Sequence, residues 1–363
     1  MDKIKRFIEC LIPVTACNLK CHYCYVIQRE KNEGKMPEMK YSVSQIKEAL
    51  TVDRLGGTCY FSICGAGETL LPHVTIDITK CLLENKHYVN ITTNGTLKQR
   101  FDEIVEVLDE DELERLHFAF SLHYLELKRL NLLEQFAENV RMVKQAGCSF
   151  LVQLNLCDEY VPYEEEIKEY CMNNFGAYPQ IAATRKEQDI SSKVELYTAH
   201  TFEEYVEHGK SFNSTLFDFT MKNFNVKRKE FCYAGDWTFT LNLATGIMSR
   251  CYASPKGYDI FKDVDKPIPF CAVGKHCGSL FCMNSSHFMS LGVVPEVDTP
   301  SYSDLRDRVC ENQTHWYGER MRNFLSQKLE HNNSKKCNRA KVEIQYLFEK
   351  SYSILARLYN KLK

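Results

Sequence analysis

The chain has 363 residues, 44% of them hydrophobic and 12% aromatic, which supports a large core and excludes a disordered chain. A formal net charge of −2 gives no global drive toward nucleic acid, so no nucleic-acid partner is expected. No apolar run approaches the roughly 20 residues of a membrane span. The opening MDKIKRFIECLIPV has too short an apolar part for a signal peptide and lacks a small-residue cleavage site. Seventeen cysteines without an export signal, several at ligand-like spacings, point to a reducing cytoplasm and to metal centres rather than disulfides.

The first predicted strand, Phe7–Val14, leads into CNLKCHYCY, which places Cys17, Cys21 and Cys24 on one short loop. Three thiolates so spaced can hold three irons of a four-iron cubane and leave the fourth open to a chelating small molecule. A cluster with four cysteine ligands usually only carries electrons. The alternative is a structural zinc site, which needs a fourth ligand nearby. His22 is the nearest candidate, although it sits awkwardly between two of the cysteines.

Further strands are expected at Thr58–Cys64, Tyr88–Thr93, Leu116–Leu122, Phe150–Leu156 and Gln180–Arg185. Amphipathic stretches at Val43–Leu55, Val74–Asn85, Leu97–Leu108, Leu125–Ala146 and Tyr163–Asn174 lie between them. This alternation implies right-handed crossovers and a parallel α/β sheet, with ligands at the C-terminal strand ends. Polar or glycine-rich residues fall at those ends. They are Ala66, Gly67 and Glu68 in CGAGETLL; Thr93, Asn94 and Gly95 in ITTNGT; Ser121 in FAFSLHY; Gln153 and Asn155 on one strand face; and Arg185. Residues 191–228 are more polar, with a helix at Phe202–Met221.

Trp237–Leu243, a turn at Ala244-Thr245-Gly246 and Ile247–Tyr252 then read as a hairpin flanked by Cys232 and Cys251. Its two ends can face one metal. Loops follow over 253–300, carrying Cys271, Cys277 and Cys282. Zinc is an alternative for these thiols also. The remaining cysteines, Cys10, Cys59, Cys64, Cys81, Cys148, Cys157, Cys171, Cys310 and Cys337, read as small buried hydrophobes. The last sixty residues look helical. Residues 334–363 carry eight Lys or Arg and two Glu, with Val342, Tyr346, Ile354, Leu355, Leu358 and Leu362 at roughly helical spacing. Such a helix packs on the body with a solvated basic face, or contacts a membrane or partner weakly.

Cys17, Cys21 and Cys24, with Tyr23 just before the last, resemble the signature of the radical S-adenosylmethionine (radical SAM) enzymes. That resemblance implies a partial (β/α)6 barrel of the TIM type, a 4Fe-4S cluster on Cys17, Cys21 and Cys24, and bound S-adenosylmethionine. Tyr23 would pack on the adenine. Ala66-Gly67-Glu68 would bind the methionine amino group, occupying the place of a Gly-Gly-Glu-Pro-like run with Ala for Gly and Thr69 for Pro. Asn94, Ser121 and Arg185 would add contacts.

Cys232, Gly246 and Cys251 are similar to the Cys…Gly-x-x-x-x-Cys opening of the SPASM or twitch auxiliary domains. One auxiliary 4Fe-4S cluster on Cys232, Cys251, Cys277 and Cys282 is then expected, with Cys271 spare. The implied division is a barrel over 1–225, an auxiliary domain over 226–300 and a helical extension over 301–363.

The expected function is cytoplasmic: reductive cleavage of S-adenosylmethionine, hydrogen abstraction from a small-molecule or sugar-type substrate, and oxidation through the auxiliary cluster. A flavodoxin or ferredoxin would supply electrons. Modification of a peptide or protein is the alternative, and a non-catalytic iron–sulfur or zinc protein is a third reading.

Overall fold

Strand β1 (Arg6–Ile12) is buried at six of its seven positions, as befits a parallel strand covered on both faces. In this computed structural model the described residues are 2–30, 33–187, 193–252, 254, 257–279, 282, 286–333, 339, 340, 342–348 and 351. Strands β2 (Cys59–Gly65), β3 (Tyr88–Thr93), β4 (Leu116–Ser121), β5 (Ser149–Leu156) and β6 (Gln180–Ala183) follow in parallel. Each lies beside its predecessor. Helices Val74–Glu84, Lys98–Val107, Leu133–Gln145 and Glu164–Phe175 cross between them, giving the mostly parallel α/β sheet of a partial TIM-type barrel.

Three predicted helices are interrupted. Val43–Leu55 is two helices because the Thr51 hydroxyl accepts the Arg54 N–H and starts a new one. Leu125–Ala146 breaks at Asn131, which has φ +56°. Phe202–Met221 breaks at Asn213, φ +49°, after which Ser214 caps the helix Thr215–Lys222. Strand β6 stops at Ala183, so Arg185 lies beyond the strand, in an isolated bridge with Leu196.

The hairpin forms as strands β7 (Thr238–Asn242) and β8 (Ile247–Ser249), and a third strand, β9 (Gly257–Asp259), appears where a loop was expected. β7 pairs in parallel with β1, from Phe7↔Thr238 to Leu11↔Asn242. The sheet order is therefore β6-β5-β4-β3-β2-β1-β7-β8-β9, one sheet running across residue 226.

Residues 286–333 close the opposite end of the barrel. The Trp316 indole N–H donates to Phe175 O (2.9 Å). Phe324 stacks on Tyr88 at 3.7 Å, and Phe288 and Tyr302 pack on Phe7. Residues 339–340 and 342–348 are helical and lie on the segment before the second cysteine group. Val342 is buried, Tyr346 stacks on His276 at 3.6 Å and Arg339 covers Phe231. Ile354, Leu355, Leu358, Leu362 and Cys337 lie outside the described residues. Among the described residues no helix is long and apolar enough to cross a membrane.

Candidate active site

The loop after β1 is carried by the loops that follow its neighbours. Gly67 has no room for a side chain, since a Cβ there would lie 2.0 Å from Ala16 O. Its N–H donates to Val14 O (2.7 Å), and the next N–H, of Glu68, donates to Ala16 O (2.9 Å). The glycine is thus a docking point for the cysteine loop rather than a free turn. From β3, the Asn94 side-chain amide donates to Asn18 Oδ1 (2.8 Å) and reaches Cys17 Sγ at 3.8 Å. The Lys20 N–H donates to Glu126 Oε1 (2.9 Å). Gly95 takes φ +72° against Phe120 and Phe136, as expected for that turn.

A cavity of about 400 Å³ opens at the C-terminal strand ends. Cys17, Cys21 and Cys24 line it together with Tyr23, Ala66, Gly67, Glu68, Asn94, Ser121 and Arg185. The structure therefore brings the first three thiols and all seven expected ligand-binding residues to one space. Thr15, Tyr25, Thr92, His123, Thr184 and Glu187 also line it, without having been singled out. Asn155 lines it as well, whereas Gln153, on the same strand face, does not.

Glu68 is buried and well served. Oε1 accepts from Thr93 Oγ1 (2.6 Å) and Leu70 N–H (3.0 Å), and Oε2 accepts from Asn94 N–H (2.7 Å). Burial raises its pKa, and these three donors oppose the rise. The carboxylate ties the second strand-end loop to the third and leaves Oε2 room for one further donor. Tyr23 is buried, with its hydroxyl hydrogen-bonded to His123 Nδ1 (2.7 Å) and Tyr160 O–H (3.0 Å). Burial lowers His123 to about 4, so the ring is neutral near pH 7. His22 turns away from the three thiols and pairs with Glu159 at 3.0 Å, which removes it as their fourth ligand. Burial, and then the charges of Cys17 and Cys24, raise the Cys21 thiol. Three thiolates so placed need a positive partner.

The second thiol group forms around the hairpin. Cys232 and Gly274 exchange backbone hydrogen bonds (3.0 and 2.9 Å), which draws the later loop to the hairpin base. Burial raises the Cys232 thiol, followed by the proximity of Cys282, Cys251 and Cys277. These are the four expected ligands. Cys271 is buried, its thiol facing Ala272 O at 3.7 Å. Among the described residues no three thiols of either group lie within 4.8 Å of one another. Sulfurs about 2.3 Å from one tetrahedral zinc would be about 3.8 Å apart. Of the cysteines read as buried hydrophobes, Cys64 is only half-buried, and the other described ones are buried.

Residues 11–170 match the model of the Radical SAM superfamily. No curated protein matches the chain. Among solved structures it is similar to Streptococcus suis SuiB bound to S-adenosylmethionine: 14% identity, a TM-score of 0.51, 72% of this chain and 65% of that one. A second structure of Streptococcus suis SuiB gives 14% identity and a TM-score of 0.51 over 74% and 67% of the two chains. The likeness is one of fold, and the chain spans about two thirds of SuiB's length.

Proposed function

We propose that the chain cleaves S-adenosylmethionine reductively at the cavity of Cys17, Cys21 and Cys24 and uses the resulting radical to oxidise a small polar substrate. The observation that carries this is the convergence of three cysteine thiols, Cys17, Cys21 and Cys24, on a cavity at the C-terminal strand ends. Cys17, Cys21 and Cys24 would hold a four-iron cluster there, and that cluster would supply the electron for reductive cleavage of S-adenosylmethionine.

The chain's own residues position and shield. Tyr23, fixed by His123 and Tyr160, offers a flat face for the adenine. Glu68 and Asn94 hold the two turns against which the amino acid end rests. Arg185, whose side chain makes no hydrogen bond or ion pair among the described residues, can meet a carboxylate. Ser121 offers a hydroxyl to the ribose or carboxylate.

Cys232, Cys251, Cys277 and Cys282 would hold an auxiliary 4Fe-4S cluster, an acceptor for the electron released when the substrate is oxidised. Residues 226–300 then act as a twitch-like auxiliary unit laid on the barrel sheet, which continues from β1 into β7, β8 and β9. An external one-electron carrier of the flavodoxin or ferredoxin type would reduce the first cluster.

Metal analysis and labelled S-adenosylmethionine test this reading. The reconstituted chain should hold about eight irons and eight sulfides. Replacing Cys17, Cys21 and Cys24 by Ala should remove about half of each and abolish 5′-deoxyadenosine formation. Replacing Cys277 and Cys282 should remove the other half and leave that cleavage in place. Stoichiometric zinc without iron after anaerobic purification would sink the reading.

A further inference from the structure

Inside the barrel, one register below the cavity, the strands carry a belt of polar side chains where such interiors usually hold branched apolar ones. Direct pairing sets Thr240, Glu9, Ser62, Asn90, His117 and Ser149 side by side across β7, β1, β2, β3, β4 and β5. Side chains two residues apart share a face. The belt therefore faces the same space as Thr92, about 7 Å higher, and Ser121, about 13 Å higher, both of which line the cavity.

That space is open on the β1 side. Leu11, two residues above Glu9 on the same face, is 39% exposed, whereas Ile8, Cys10 and Ile12 on the other face are fully buried. Tyr252 is 49% exposed and stands close to Glu9, Cys64, Tyr25 and Cys251. The chamber over Glu9 thus has Tyr252, next to Cys251, at its side, and Tyr252 in turn stands near Tyr25 of the first cysteine loop.

Two buried carboxylates on this face behave differently. Glu68 takes three close donors. Glu9 has only the Ser62 hydroxyl at 3.5 Å and the Cys64 thiol at 3.8 Å, both on Oε1. Its Oε2 has no partner among the described residues, and neither has Asn90 Oδ1, on the far side of Ser62. Arg306 supplies positive charge from below but is held by His287 Nε2 (2.8 Å) and Ser286 Oγ (3.3 Å). A buried acceptor without a donor is costly, so a fold that retains one has a use for it.

Resting on the function proposed above, we propose that this chamber is the substrate site. Glu9 seats there a hydrogen-bond-donating end of the substrate, a hydroxyl or an ammonium, so that its body lies between the two thiol groups. The substrate class is then a small polar molecule rich in hydroxyl or amine groups. Asn90 Oδ1 offers the second acceptor of the seat.

The test uses the reconstituted full chain and ligand-observed NMR with three probes: propane-1,3-diol, 3-aminopropan-1-ol and the acceptor-only 1,2-dimethoxyethane. At least one donor probe should bind wild type about fivefold or more tighter than dimethoxyethane, the weight of one net hydrogen bond. Glu9→Leu should erase that preference. In Glu9→Gln the diol should keep its advantage, and any excess of the aminoalcohol over the diol should vanish. The two donor probes thus tell hydroxyl from ammonium. Equal binding of all three probes by wild type, or a preference that survives Glu9→Leu, overturns the inference. Iron content reports whether each variant is intact, and Glu9→Met replaces Glu9→Leu if the latter has lost iron. Cleavage of S-adenosylmethionine by the wild-type sample is read alongside. Its absence would sink the proposed function, while lost probe discrimination with cleavage present would sink only the chamber.

Discussion

Glu68 and Glu9 show how the same residue type is set to different ends by its donors. Replacing Glu68 by Gln puts an NH2 group against one of three N–H or O–H donors and removes the charge. Affinity for S-adenosylmethionine should fall about tenfold or more, with iron retained, since hydrogen bonds to a charged group contribute about 1.5–3 kcal/mol. Unchanged affinity in equilibrium binding would show that the clamp does not serve the ligand. Burial pushes Glu9 up to about 7 from its ordinary 4.5, against the opposing pull of Arg306, Cys64 and Ser62. The folded state therefore holds this proton more tightly than the unfolded state does. The associated stability is complete below about pH 4.5 and is lost as pH rises through 7. Its size is about 3 kcal/mol. Glu9→Gln mimics the protonated form and does not titrate. Its melting temperature should match wild type at pH 5 and exceed it progressively up to pH 8, and a constant gap would refute the assignment.

At the scale of elements, the loops matter more than the strands they join. Gly67→Ala would drive a methyl group into Ala16 O, a backbone atom that can yield only by moving the cysteine loop. Iron and sulfide should drop toward about half, with the second thiol group still loaded. Full iron content would mean that the loop shifts without harm. All six barrel strands were legible because near-continuous apolar runs mark strands covered on both faces. The helix interruptions at Thr51, Asn131 and Asn213 were not, since one capping hydroxyl or one positive φ leaves apolar periodicity intact. Six of the seven cavity-lining residues were legible because they sit at or just beyond strand ends, and Tyr23 because it precedes the third cysteine of its loop. His123 was missed because its meaning depends on Tyr23, a hundred residues away. The belt around Glu9 was also hidden, because it exists only across strand pairs, and in β1 alone the glutamate is one polar residue in an apolar run.

For the whole molecule, the pairing of β1 with β7 has a consequence for how the chain is made. The first strand to leave the ribosome meets its second neighbour only when residue 238 is synthesised. Until then one edge of β1 presents unpaired N–H and C=O groups beside buried-type side chains such as Phe7 and Ile8. Bare strand edges of this kind invite pairing with other chains, and contacts so distant in sequence form late. A chain ended at residue 225 should therefore collect in the insoluble fraction on expression, whereas one continuing through 333 should stay in solution. Sedimentation of the two lysates decides it, and a soluble monomeric 1–225 would show that the barrel closes its own edge. In this light the hairpin that brings the second thiol group also serves as the last stave of the barrel, so that those thiols and a finished fold arrive together during synthesis.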